Sequence, residues 1–213
     1  MNLKIYDISM PVYPGMAVYK NKPEKQPVFT VTADHATHNL RETRVTLDLH
    51  TGTHIDAPLH MVEGGATVDA FRVDQFIGPC HVLDLTNVSG AITKTHLTGQ
   101  EIKPGWYVLF KTLNSFADAW QPEFTYLSGE AAAHLAELGV AGVGTDGLGI
   151  ERDQPDHETH KILFAREIMI IEGLRLGEVP AGDYLMIALP LKITGVEAAP
   201  ARIILLEQGF GVM

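Results

Sequence analysis

The chain has 213 residues, of which 46% are hydrophobic and 20% charged, which suits one large domain with a real core and excludes a disordered chain. Its formal net charge of −10 is the opposite of the basic face that a nucleic-acid partner requires, and no run of roughly 18 apolar residues marks a membrane span. Cys80 is the one cysteine, which excludes intramolecular disulfides and thiolate-rich metal sites. The opening residues already read as strand and lack the apolar core of a signal peptide, so the expected compartment is the cytoplasm.

Taken in order, residues 3–9 predict a first strand, followed by a turn through Pro11, Pro14 and Gly15, where prolines block helix and glycine supplies permissive dihedrals. Residues 20–27 form a polar loop, the most basic segment of an acidic chain. It reads as a solvated loop, or as a lid that attracts an anionic substrate. Residues 29–32 predict a second strand, and His35 and His38 fall in a polar turn, where they read as surface residues or as support behind a site's ligands. Residues 44–49 alternate polar and apolar side chains with β-branched residues among them, which is strand chemistry.

That strand leads into residues 50–60, where His50, His54, His60 and Asp56 lie close together around Gly52 and Pro58. If the strand continues, His50, Gly52, His54 and Asp56 share one face. Gly52 then leaves room for something to approach the backbone. Two imidazoles and a carboxylate on one side of a strand end suit a divalent metal such as zinc or manganese.

Further along, residues 80–86 predict a strand in which Cys80 is a small core residue. A turn ends in Pro104 and Gly105, and a buried strand follows over 106–110. Ser128 is placed to cap a helix over 129–138 that Gly139 terminates. Residues 139–146 read as a short internal strand whose glycines allow close packing. Asp156 is placed to cap a short helix that carries His157 and His160 on one face. Residues 168–174, 184–189 and 202–206 are three more apolar strands. Many strands with few helices, and no linker or repeat, predict a single α/β domain over residues 1–213 with a mixed sheet. Glu172 ends a run of apolar residues, where a carboxylate is costly if buried without a partner. With a metal half-site upstream, Glu172 and His160 are its natural complement, though each alone also reads as an ordinary polar residue.

The pattern His50-x-Gly52-Thr53-His54-x-Asp56-x-Pro58-x-His60 resembles the signature of a family of metal-dependent hydrolases, the cyclase family, which includes the bacterial kynurenine formamidases and the isatin hydrolases. The resemblance continues in Asp7-Ile8-Ser9, Tyr13-Pro14-Gly15, Gly144-Thr145-Asp146, His160, residues 171–174 and Ala201-Arg202. It implies an α/β domain around a β-barrel-like mixed sheet with a few flanking helices. It also implies two divalent ions, zinc first and manganese as the other fit. His50, His54 and Asp56 would hold the first ion, with Asp56 bridging. His160 would hold the second, Glu172 would contact both, and His60 would be the acid/base. Such proteins usually form homodimers or larger assemblies, so a homodimer or homotetramer is expected.

The reaction implied is hydrolysis of a C–N amide bond in a small molecule, most concretely N-formylkynurenine to kynurenine and formate in tryptophan catabolism. Two departures bear on the substrate. Met16 follows Gly15 where the formamidases have aspartate, and Tyr19 stands where a tryptophan would pack on the substrate ring. Gly149 and Glu151 stand near the family's serine and aspartate. The competing readings are a related hydrolase of another amide, lactam or ester such as isatin, a non-haem iron oxygenase, and a non-catalytic metal-binding module.

Overall fold

The computed structural model describes residues 4–207. Its elements in chain order are β1 (Ile5–Asp7), β2 (Val28–Ala33), α1 (His35–His38), β3 (Glu42–Thr46), β4 (His54–Asp56), β5 (Ile77–Asp84), β6 (Ala91–Ile92), α2 (Lys94–Leu97), β7 (Tyr107–Lys111), β8 (Tyr126–Leu127), α3 (Gly129–Leu138), β9 (Gly142–Thr145), α4 (Glu158–Phe164), β10 (Met169–Glu172), β11 (Gly182–Pro190) and β12 (Ala198–Glu207).

The expected mixed sheet closes on itself. Seven strands run in the order β12-β11-β5-β7-β9-β10-β4, and β4 pairs back onto β12. β5, β7, β9 and β10 are parallel neighbours, and the other joints are antiparallel. β12 can close the ring because it is long. Its start pairs β4 through Ala198 to Pro200, and its far end pairs β1, with Ile5 opposite Leu206. β2 and β3 form a separate two-stranded hairpin.

Alternation along each strand assigns the faces. Tyr107 and Leu109 join Cys80, Val82, Met169, Ile171, Met186 and Ile203 in one core, the barrel interior. Val108, Phe110, Val143 and Ile170 belong to a second core with Ala131, Leu135 and Leu163 of α3 and α4. Each fully buried large side chain contributes about 1.5–3 kcal/mol. On β9 the inward positions are Gly142 and Gly144. A Cβ at Gly142 would stand 2.4 Å from the Tyr107 ring, and one at Gly144 would stand 2.6 Å from Leu109.

The helix over 129–138 has the predicted ends. The Ser128 hydroxyl accepts from Ala131 N, and Gly139 turns left-handed at φ 70°. Other expectations shift. The first strand is confined to Ile5–Asp7, with Ser9 adding one bridge to Leu174; Leu3 lies outside the described residues. The strand expected over 80–86 starts at Ile77. Pro79 is tolerated there because β7 joins only at Cys80, so β5 is still an edge on that side. His35 and His38 are exposed as expected but form α1, capped by the Asp34 side chain accepting from Thr37 N.

A candidate metal centre on the outer wall of the barrel

β4 and β10 pair antiparallel, with Glu172 opposite His54 and Ile170 opposite Asp56. Residues opposed in this way lie on the same face. Ile55 and Ile171 belong to the barrel core, so His54, Asp56 and Glu172 stand on the outer wall. Glu172 ends an apolar strand without facing the apolar interior.

His50 arrives by a different route from the one expected. The strand stops at Thr46, and Gly52 has φ 76°, so residues 50 and 54 do not share a continuous strand face. A turn is built instead. Asp48 accepts from His50 N at 3.0 Å and from Lys25 Nζ at 2.9 Å. The group that approaches closely at Gly52 is the backbone of Gly173, whose Cβ, if present, would be 2.5 Å from Gly52 O. The turn brings His50 Nδ1 to 3.0 Å from Asp56 Oδ1. His54 Nδ1 contacts Gly52 O at 2.9 Å, which leaves Nε2 facing Asp56 at 3.4 Å and Glu172 at 3.5 Å.

α4 packs over this wall. His160 Nε2 lies 3.7 Å from Asp56 Oδ2 and 3.6 Å from Glu172 Oε1. His60 ends the turn Pro58–His60, its ring tilted against His50 with centroids 4.1 Å apart. The chain therefore brings His50, His54, Asp56, His160 and Glu172 together, with His60 beside them. A cavity of about 220 Å³ opens over the group, lined by Tyr19, His60, His160 and Glu172 among others. Lys22 and Lys25 of the basic loop line it too, with Lys25 tied to Asp48.

The donor set fits a divalent cation. Asp56 is fully buried, yet neither carboxylate oxygen has a hydrogen-bond partner. Donor atoms sharing one zinc ion stand roughly 3.4 Å apart in a tetrahedron of ~2.1 Å bonds, and the spacings around Asp56 run from 3.0 to 3.7 Å. His54, Asp56 and Glu172 form one compact ligand group, and His50, Asp56 and His60 another.

The electrostatics agree. Burial alone would lower the His54 imidazole, but Asp56 and Glu172 push it up to about 10. Burial and Asp56 would raise Glu172, but His160 and His54 bring it down to about 2. Asp56 would likewise be raised by burial and is held well below the carboxylate range by His54, His160 and His50. His160 follows His54, lowered by burial but raised overall by Asp56, Glu151 and Glu172. A proton and a cation are alternative ways to satisfy these buried carboxylates. His60 differs: burial lowers it, the effect of Asp56 notwithstanding.

Glu151 was not singled out as a site residue by its sequence. Its Oε1 lies 3.2 Å from His160 Nδ1 and 2.6 Å from His157 Nδ1. Its Oε2 accepts from Thr159 N at 3.0 Å. Glu151, and not Asp156, thus serves the start of α4. Asp156 and His157 both have positive φ and precede the helix, so His157 and His160 meet through Glu151 rather than along one helical face. The sequence hinted at this only by placing Glu151 near the family's aspartate, shortly before a His-rich helix. Trp120 and Phe124, edge-on to Tyr19 at 6.1 and 6.4 Å, carried no motif at all.

Fold and cluster together define a mixed-barrel protein with a candidate metal centre on its outer wall. The family described as Putative cyclase matches residues 6–152. Kynurenine formamidase of Salinibacter ruber is 34% identical over 206 residues, covering 95% of this chain and 97% of the relative. Kynurenine formamidase of Erythrobacter litoralis is also 34% identical, covering 96% and 94%. Among solved structures, a predicted metal-dependent hydrolase from Bacillus stearothermophilus superposes with a TM-score of 0.89 at 51% identity, covering 98% of this chain and 100% of the other. Isatin hydrolase A from Labrenzia aggregata shares the fold at a TM-score of 0.84 and 24% identity, covering 96% and 93%. The chain belongs to the cyclase family.

Proposed function

We propose that the protein is a metal-dependent amidohydrolase of the cyclase family that acts as an arylformamidase, converting N-formylkynurenine to kynurenine and formate. The observation that carries this reading is the buried, unpartnered Asp56 carboxylate with His50, His54 and His160 around it. Full-length similarity to kynurenine formamidases supports the choice of substrate. His50, His54 and Asp56 would hold one ion, and His160 and Glu172 would hold a second, with Asp56 and Glu172 shared. Zinc is the expected metal, and manganese also fits nitrogen and oxygen donors. A bound ion of this kind supplies Lewis acidity and a water acidic enough to attack a carbonyl at neutral pH.

The chain's own residues do the rest. Glu151 Oε1 stands 3.2 Å from His160 Nδ1, in ion-pair range, which favours the ring orientation that turns Nε2 toward Asp56 and Glu172. His60, lowered by burial, is neutral at pH 7 and can take a proton from the attacking water and pass it to the leaving nitrogen. Tyr19 offers an aromatic edge to the substrate ring, and Lys22 and Lys25 place positive charge at the cavity, suited to a substrate that carries a carboxylate. The working unit we propose is a homodimer or homotetramer.

The test is turnover of N-formylkynurenine by protein loaded with zinc or manganese, with His60→Ala in parallel. Expected are formate release by the parent and a loss of about 100-fold or more in kcat for the variant. A loaded parent that does not turn the substrate over ends the formamidase assignment, and an unimpaired His60→Ala ends the proton-transfer role. One observation favours a second reading, hydrolysis of another amide, lactam or ester. The ring at the cavity is Tyr19, packed T-shaped with Trp120 and Phe124, so the aromatic surface differs from the formamidases' tryptophan. A substrate panel that includes isatin separates the two.

A further inference from the structure

A second cavity, about 260 Å³, lies behind the metal pocket and is walled largely by apolar and aromatic side chains, among them Leu113, Trp120 and Phe124. Leu148 lines both cavities. Tyr19 lines only the metal pocket and packs T-shaped with Trp120 and Phe124, so Tyr19 and Leu148 form the partition. The far wall is braced: Asn114 Nδ2 donates to Thr125 O at 2.8 Å, and Asn114 Oδ1 accepts from Thr125 N at 3.0 Å. A cavity held open in this way needs little reorganisation to take a ligand.

One polar group in it is underused. Arg175 lines the cavity. Its Nη1 donates to the carbonyls of Leu174 at 3.0 Å and Asp146 at 3.4 Å, while Nε and Nη2 donate to nothing among the described residues. The nearby Asp146 carboxylate is occupied by Thr112 and Ser115, which supply two backbone N–H and two hydroxyl donors at 2.6–3.2 Å. A half-buried guanidinium with free donors calls for an anion with planar, two-oxygen geometry. Aromatic walls call for a flat apolar body.

We propose that this cavity is a second binding site, separate from the metal centre, for an aromatic carboxylate. The carboxylate would lie on Arg175 and the ring against Trp120 and Phe124. The site owes nothing to the reaction assigned above.

Trp120 reports on its own pocket. The chain has two tryptophans, so Trp106→Phe leaves Trp120 as the sole indole. In that background 2-naphthoate is titrated by calorimetry and by Trp120 fluorescence, with 2-naphthamide as the neutral comparison. Expected is saturable binding with quenching, about tenfold weaker for the amide and about tenfold weaker for Arg175→Met. Ala117→Phe, which narrows the cavity from its partly exposed rim, abolishes binding and keeps the test decisive should Arg175→Met fail to fold. Glu172→Gln, at the metal centre, leaves the affinity unchanged. Absence of saturable binding, equal affinity in Arg175→Met or Ala117→Phe, or loss of binding in Glu172→Gln each overturns the proposal. None of these readings depends on whether N-formylkynurenine is a substrate.

Discussion

Asp56 places a full negative charge in the interior with no hydrogen-bond donor on either oxygen. Such a carboxylate is costly unless a counter-charge meets it. Asp56→Asn keeps the shape and removes the charge, which in chelator-treated protein leaves the raised His54 and His160 imidazoles short of a counter-charge, so there it should be destabilising. In the parent, zinc should raise Tm by mass action on the native state, and the variant should lose that rise. Thermal unfolding of both proteins with and without zinc measures this, and an undiminished zinc-induced shift in Asp56→Asn would remove Asp56 from the ligand set. Glu151 acts at one remove, through His160 Nδ1. Glu151→Gln should weaken zinc binding about 10–100-fold, read by competition with a chromophoric chelator. The conservative Glu151→Asp should recover part of that loss if the carboxylate's charge is what holds the ring.

At the scale of elements, β9 and the β5–β11 joint each carry a testable device. β9 faces the barrel interior with two glycines. Gly144→Ala would drive a methyl to within 2.6 Å of Leu109 and 2.7 Å of Leu174, so a loss of about 1–3 kcal/mol in urea unfolding is expected. An unchanged midpoint would mean that the barrel can expand there. Across β5 and β11, His81 and Asp183 are directly opposed and hydrogen-bonded, and Lys103 Nζ reaches Asp183 at 2.8 Å. Burial would raise the Asp183 carboxyl, but His81 and Lys103 hold it below its ordinary value of 3.8. A carboxyl lowered in the folded state adds stability above its unfolded pKa and loses it as pH falls. Asp183→Asn should therefore cost about 0.5–1 kcal/mol at pH 7, discounted for exposure, and progressively less as pH falls below 3.8 through the lowered folded-state value; a cost that does not change with pH would mean that the pair's charge is irrelevant. The strands and α3 were legible in the sequence because apolar alternation and the Ser128 and Gly139 caps are local signals. The turn through Gly52 was not, because its conformation depends on Gly173, far away in sequence. His54, Asp56 and Glu172 could be picked out as ligand types, but their meeting rests on a β4–β10 register that no local pattern encodes. Glu151 was noted only as standing near the family's aspartate, with no role at the site, for the same reason: its partners are set by where α4 docks.

At the scale of the whole molecule, the β2–β3 hairpin stands apart from the barrel sheet. Val28, Phe29, Val31 and Val45 are 40–55% exposed on it. A two-stranded hairpin is marginally stable alone in water, and an exposed apolar face of this kind marks an interaction surface. For the homodimer proposed above, charge favours this hairpin as the contact. Two molecules of net charge −10 repel one another over most of their surfaces. Between residues 28 and 46, however, Arg41 and Arg44 balance Asp34 and Glu42, so the hairpin is a place where copies can meet without that penalty. Phe29, Val31 and Val45 share a face, since Phe29 lies opposite Val45 in the register, and that face is the expected contact of the homodimer. A double variant, Val31→Glu with Val45→Glu, adds two carboxylates to each copy at that contact. Light scattering after gel filtration should give a dimer or larger species for the parent and a monomer for the variant. Circular dichroism should be nearly unchanged, because the hairpin adds nothing to either barrel core. A parent that is monomeric at micromolar concentration, or a variant that keeps the parent's mass, would rule out the hairpin as the dimer contact.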